Sequence, residues 1–158
     1  MKADLHNHSY YSDGVLSPSQ VVKLASEAEC DLFSLTDHDT TNGIAEAQLE
    51  ADRLNLNLIH GVEISALWRN MAIHILGLGV DINNDILQTG LANNQKLRKD
   101  RAEKIALGLW RSGIKDALEK TQSFSKTEMI TRTHFAQMLI SEGYCKDMKT
   151  VFRRYLTG

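Results

Sequence analysis

Asp31-Leu32-Phe33-Ser34-Leu35-Thr36-Asp37-His38-Asp39 is the stretch on which the fold turns. Its apolar run, Leu32-Phe33-Ser34-Leu35, has the length of a strand rather than a helix, so residues 31–36 read as a buried strand. His38 then stands at the C-terminal end of that strand, where open α/β sheets and α/β barrels place their sites. A buried strand needs helices against it, and the flanks supply them. Upstream, Ser17-Pro18-Ser19-Gln20 offers an N-cap, a proline at the first helical position and a glutamine three residues after the cap. That signal predicts a helix to about residue 29, with Val21, Leu24, Ala25 and Ala28 on one apolar face. Downstream, residues 42–54 predict a second helix with Ile44, Ala47 and Leu54 inward. Residues 3–8 alternate like a strand, and 56–64 and 72–80 predict two more. Strand, helix, strand, helix, strand at this spacing predicts an α/β fold with parallel βαβ units.

From residue 84 the pattern changes to helices alone, over 85–110, 115–123, 126–142 and 147–156, the third ending at Gly143. No Pro/Gly/Ser-rich hinge separates the parts. The expected organisation is an α/β region over 1–83 and a helical subdomain over 84–158, continuous with it. Charge divides in the same way. Residues 1–81 carry 4 Lys and Arg against 12 Asp and Glu, a balance of −8, whereas 82–158 carry 14 against 8, a balance of +6. Acidic excess suits cation binding and basic excess suits an anionic substrate, although the latter taken alone is also the ordinary surface of solvated helices.

The chain has 158 residues, 42% hydrophobic and 24% charged, the composition of a globular protein with a core. Cys30 and Cys145 are isolated, with neither the spacing of a zinc knuckle nor a disulfide framework, so a reducing cytoplasm is the expected compartment. The N-terminus has no apolar leader, and the apolar run over 73–80 is too short to span a bilayer, so no membrane role is expected.

Six candidate metal ligands fall in the first half: His6, His8, Asp13, His38, Glu63 and His74. In a strand, residues i and i+2 share a face, so His6 and His8 can reach one ion, with Asp4 on the same face as a support for an imidazole. An H-x-H pair alone is weak, and His74 alone reads better as a core histidine. Convergence decides between these readings. Glu63 lies between Val62 and Ile64, where a carboxylate is costly to desolvate without a cation or hydrogen bonds. Mixed imidazole and carboxylate donors suit Mn, Fe or Zn. Several such ions together activate water and neutralise phosphate oxygens, which makes phosphoester hydrolysis the natural chemistry.

With Asp4-Leu5-His6-Asn7-His8-Ser9, Ser12-Asp13-Gly14, Leu35-Thr36-Asp37-His38-Asp39-Thr40 and Gly61-Val62-Glu63-Ile64-Ser65, the sequence resembles the PHP (polymerase and histidinol phosphatase) superfamily. Ile73-His74-Ile75-Leu76-Gly77-Leu78, Thr131-Arg132-Thr133-His134-Phe135 and Val151-Phe152-Arg153-Arg154-Tyr155-Leu156 make it similar, more narrowly, to the TrpH/YciV-type phosphoesterases. The resemblance runs along the whole chain. It implies part of a (β/α)₇-type PHP barrel with a helical insertion, and divalent ions at the barrel mouth, up to three in a complete member and often Mn²⁺, with Zn²⁺ or Fe²⁺ fitting the same donors. It implies that His6 and His8 hold one metal with Glu63, that Glu63 bridges to a second bound by His74, and that Asp13 with His38 holds a third. The family completes these with a later histidine in an Ala-His-Pro-like motif and an Asp and His in a Gly-Ser-Asp-x-His-like motif, none of which occurs in this chain.

The substrates so implied are 3′,5′-bisphosphonucleotides such as pAp, or the 5′ end of short RNA. Arg98, Arg101, Arg132 and His134 are the corresponding candidates for substrate phosphate, since the arginine fork matches phosphate oxygens. Arg98 and Arg101 read equally as an exposed helix face. Two further readings stand beside the phosphoesterase. One is a truncated or split, non-catalytic fragment that binds metal partially, self-associating or pairing with a complementary chain through an open sheet edge. The other is an amidohydrolase, which also begins with H-x-H; Asp13, the Asp-His-Asp triplet and Glu63 speak against it.

Overall fold

Ser17 opens α1 (Pro18–Glu27) as its sequence signal reads: the hydroxyl accepts the Gln20 N–H at 3.1 Å, and Gln20 Oε1 accepts the Ser17 N–H at 2.9 Å. Both ends of the capping box are closed, satisfying donors that the first turn leaves orphaned. Ser17→Ala is therefore expected to cost about 1 kcal/mol in urea unfolding, and an unchanged midpoint would refute the role of this cap.

The computed structural model describes residues 1–156, which divide within one long helix into two units, Met1–Gln95 and Lys96 onward. In the first unit β1 (Ala3–Asn7), α1, β2 (Leu32–Leu35), α2 (Ile44–Leu54) and β3 (Asn57–Leu58) alternate as the spacing predicts. The three strands pair parallel in the order β1-β2-β3, with Leu32 opposite both Ala3 and Asn57. Phe33 and Leu35 of β2 are fully buried with Val22, Ala25, Ile44, Ala47, Ala51 and Leu56. That core is why a four-residue strand suffices: it is covered by helices, and its burial keeps the end that carries His38 in place.

The next strands depart from the expectation. Residues 56–64 do not form one strand; β3 ends at Leu58 and β4 (Gly61–Trp68) begins after a break. β4 pairs antiparallel with β5 (Met71–Leu78), with Ser65 opposite His74. Only Arg69 and Asn70 join them, both with positive φ, 48° and 65°. A two-residue connection can close an antiparallel hairpin only, because a parallel partner needs a crossover of about a dozen residues. The hairpin meets the parallel sheet through a bridge between His38 and Glu63. Strand order among the described residues is thus a three-stranded parallel sheet and a hairpin, a mixed α/β arrangement without the continuous parallel order of a barrel.

Helix α3 (Asp85–Arg111) spans the division between the units. From Lys96 onward the second core gathers Ala102, Leu109, Ile114, Ala117, Phe135, Met138, Leu139 and Val151. It is built with α4 (Ala117–Gln122), α5 (Arg132–Ser141), α6 (Met148–Val151) and a π-helical turn (Phe152–Leu156). The helix expected over 126–142 starts only at Arg132. Ser125 Oγ donates to the carbonyls of Thr127 and Met129, at 2.9 and 3.0 Å, and Thr131 caps α5, so hydroxyls hold 126–131 as a loop. Among the described residues no helix is long and apolar enough to cross a membrane.

Candidate metal centre

Glu63 is 6% exposed, and its carboxylate is the meeting point of four imidazoles. Oε2 lies 3.1 Å from His6 Nε2, 3.1 Å from His8 Nε2 and 3.2 Å from His38 Nδ1, and Oε1 lies 3.2 Å from His74 Nδ1. His38 and His74 face each other through Nδ1 atoms 3.2 Å apart. Asp13 completes the set, 3.5 Å from His8 Nδ1 and 3.9 Å from His38 Nε2. The donors fall into three overlapping groups: His6, His8 and Glu63; His8, Asp13 and His38; His38, Glu63 and His74.

The side chains arrive from segments distant in sequence. His6 is in β1 and His8 just beyond it, His38 follows β2, Glu63 is early in β4, and His74 is in β5. The antiparallel hairpin, not a parallel strand, delivers His74. Atoms that share an ion at about 2.0–2.2 Å lie roughly 3–3.5 Å from one another in tetrahedral or octahedral shells, and the nitrogen–oxygen separations around Glu63 have that size. The geometry and the donor chemistry therefore fit divalent cations.

Around the donors stands a layer that the sequence reading did not assign. Asp37 and Asp39, on either side of His38, are both buried, and each grips one serine twice. Asp37 accepts the Ser9 N–H at 2.7 Å and the Ser9 hydroxyl at 2.6 Å, and the Ser12 hydroxyl at 2.6 Å. Asp39 accepts the Ser65 N–H and the Ser65 hydroxyl, each at 2.7 Å. One staple thus ties the loop behind His8 to His38, and the other ties His38 to the strand of Glu63. Burial pushes the Asp37 carboxyl up from its ordinary value, against the pull of the Ser12 and Ser9 hydrogen bonds. Asp4, expected to support an imidazole, is exposed on β1 and outside the donor groups. The alternation of Asp37 and Asp39 about His38 was the available signal, but their serine partners are distant in sequence.

The turn after His8 is equally constrained. The N–H groups of Ser12 and Gly14 both donate to the Ser9 carbonyl, at 3.1 and 3.0 Å. A Cβ on Gly14 would stand 2.4 Å from the His8 carbonyl oxygen.

The four phosphate candidates lie from Lys96 onward. Arg98 and Arg101 sit three residues apart on α3, the first buried and the second half-buried. Arg132 opens α5, and His134 is buried in its capping box, with Nδ1 accepting the Thr131 N–H at 3.2 Å.

Residues 4–156 match the PHP domain family. A 3′,5′-nucleoside bisphosphate phosphatase from Chromobacterium violaceum is 42% identical over 155 residues, covering 98% of this chain and 54% of that protein. The 5′-3′ exoribonuclease Rnm of Escherichia coli is 43% identical over 155 residues, covering 97% of this chain and 53% of its own length. The chain spans about half the length of the curated relatives it matches. Among solved structures, an amidohydrolase from Chromobacterium violaceum, with bound sulfate and no metal, superposes with a TM-score of 0.95 at 41% identity, over 99% of this chain and 56% of that one. A Bifidobacterium adolescentis structure assigned as a metal-dependent phosphoesterase gives a TM-score of 0.90 at 25% identity, over the same shares. With a family match along nearly its whole length, four imidazoles around one buried carboxylate and relatives that are phosphatases and nucleases, the chain belongs to the PHP domain family.

Proposed function

We propose that this chain carries the cation-binding part of a phosphoesterase acting on phosphate esters of nucleotides, with a 3′,5′-bisphosphonucleotide such as pAp or the 5′ end of a short RNA as substrate. The observation that carries it is the convergence of His6, His8, His38 and His74 on the two oxygens of buried Glu63. His6 and His8 with Glu63 would hold one divalent ion, Glu63 with His74 a second, and Asp13 with His38 a third, drawn from the three overlapping groups. Mn²⁺ is the ion proposed, and when bound such ions supply a hydroxide at neutral pH and neutralise phosphate oxygens.

The chain's own residues set the stage for that chemistry. Glu63 is a buried carboxylate whose two oxygens would share ions with the imidazoles that face it, while Asp37 and Asp39 fix the segments that carry those imidazoles. Arg98, Arg101, Arg132 and His134 are proposed as ligands of the substrate phosphate, on the chemistry of the guanidinium fork and the imidazole. The phosphatase and exoribonuclease relatives support both substrate classes.

Inorganic phosphate released from pAp with Mn²⁺ tests the proposal. It should be measured on this chain and on the chain joined to the region that the relatives carry outside the matched half. Release by the joined form, abolished by a chelator, is expected; no release from it would overturn the reading. A second reading is metal binding without turnover by a chain that spans about half the length of its phosphatase and exoribonuclease relatives. It predicts that this chain retains Mn²⁺ while releasing no phosphate. An amidohydrolase, the description of one solved neighbour, would instead liberate an amine from an amide and leave pAp intact.

A further inference from the structure

We infer that Asn94, on α3, is a positioning residue for the donor cluster and acts through Asp39; this rests on reading the cluster as a cation site. Asn94 Nδ2 donates to Asp39 Oδ1 and to the Ser65 carbonyl, each at 2.8 Å. Its neighbour Gln95 donates from Nε2 to the Asp39 carbonyl, also at 2.8 Å. Asp39 is fully buried in left-handed backbone, φ 52°, a conformation that a residue other than glycine keeps only when its surroundings hold it. Asn94, Gln95 and Ser65 are among its holders.

What they hold leads directly to the donors. The Asp39 N–H donates to the Glu63 carbonyl at 2.9 Å, and the Glu63 N–H donates to the Asp37 carbonyl at 3.2 Å, so the main chain around His38 is laced to the main chain of Glu63. The carboxamide of Asn94 spans the two segments, touching the loop that carries His38 with one bond and the strand that carries Glu63 with the other. Asn94 touches no donor atom itself, yet it closes the frame that sets the 3.2 Å spacing between His38 Nδ1 and Glu63 Oε2. Partners of ligands one layer out characteristically change metal affinity by about 10–100-fold when removed.

A helix anchor without influence on the donors would look different. It would change stability when cut and leave the geometry of a bound ion as it was. The test therefore compares Asn94→Ala, Asn94→Asp, Gln95→Ala and the exposed neighbour Asn93→Ala with the parent chain. Three readouts are taken: calorimetric titration with Mn²⁺, the visible absorption of bound Co²⁺, and thermal unfolding without metal. Asn94→Ala is expected to weaken Mn²⁺ binding about 10-fold and to alter the Co²⁺ spectrum. Asn94→Asp is expected to be worse, since it turns a carboxylate oxygen toward Asp39 Oδ1 and the Ser65 carbonyl. Gln95→Ala should act in the same direction, more weakly, which keeps the test alive if an Asn94 variant fails to fold. Asn93→Ala should match the parent. Parental affinity and spectrum in folded Asn94 and Gln95 variants, whatever their melting temperatures, would overturn the inference. A parent chain that binds neither Mn²⁺ nor Co²⁺ would overturn the cation reading, and the inference with it.

Discussion

Glu63→Gln is expected to lower the affinity of the chain for Mn²⁺ by at least about 100-fold, more than the loss of an outlying partner costs. Glutamine keeps the shape of the side chain and removes its charge, so the change isolates electrostatics from packing. Two of the three donor groups contain Glu63, whereas the group of His8, Asp13 and His38 does not. Elemental analysis after desalting should therefore show a fall in metal content with a residue left at that third group. Circular dichroism should show the fold retained. A Glu63→Gln protein that keeps the parent's metal content would remove the foundation of the proposed function.

Gly14→Ala is expected to destabilise the chain by about 2 kcal/mol and to weaken metal binding at the same time. The added Cβ would meet the His8 carbonyl oxygen at 2.4 Å, its carbon at 2.7 Å and the Ser9 carbonyl carbon at 2.9 Å. All three are main-chain atoms, so no side chain can swing aside and the turn itself must move. His8 and Asp13 flank that turn, which is why affinity should follow stability. Gly90 in α3 is the control, because a Cβ there meets nothing within 4 Å and alanine suits a helix interior better by about 0.5–1 kcal/mol. Urea unfolding of the two variants checks both signs. Equal midpoints for Gly14→Ala and the parent would show that the turn is looser than its contacts imply.

Local rules made the first half of the fold readable. Leu32 to Leu35 carried a buried strand in its composition, and the Ser17 to Gln20 box announced a helix start in four residues. The hairpin was hidden for a reason equally local: Arg69-Asn70 lacks the glycine by which such turns are usually recognised, so β4 and β5 read as members of a parallel series. The loop over 126–131 was hidden in another way, by Ser125 and Thr131 hydroxyls that divert the backbone from a helix its apolar pattern would permit. Residue type and strand position singled out six candidate ligands, which the fold brings into three overlapping groups. Their supports were not legible, since Ser9 reaches Asp37 and Ser65 reaches Asp39 across more than two dozen residues of chain. Nothing local in a serine says which carboxylate it will serve.

The twisted backbone at position 39 also bears on how this protein is best engineered. Glycine there would relieve the left-handed conformation by about 1 kcal/mol, less than the cost of leaving the donors that now reach the Asp39 carboxylate without an acceptor. The same exchange would delete the carboxylate that holds Ser65 and Asn94, loosening the strand that carries Glu63. Backbone relief alone is thus a misleading guide at this position, where the fold and the cluster depend on the same carboxylate.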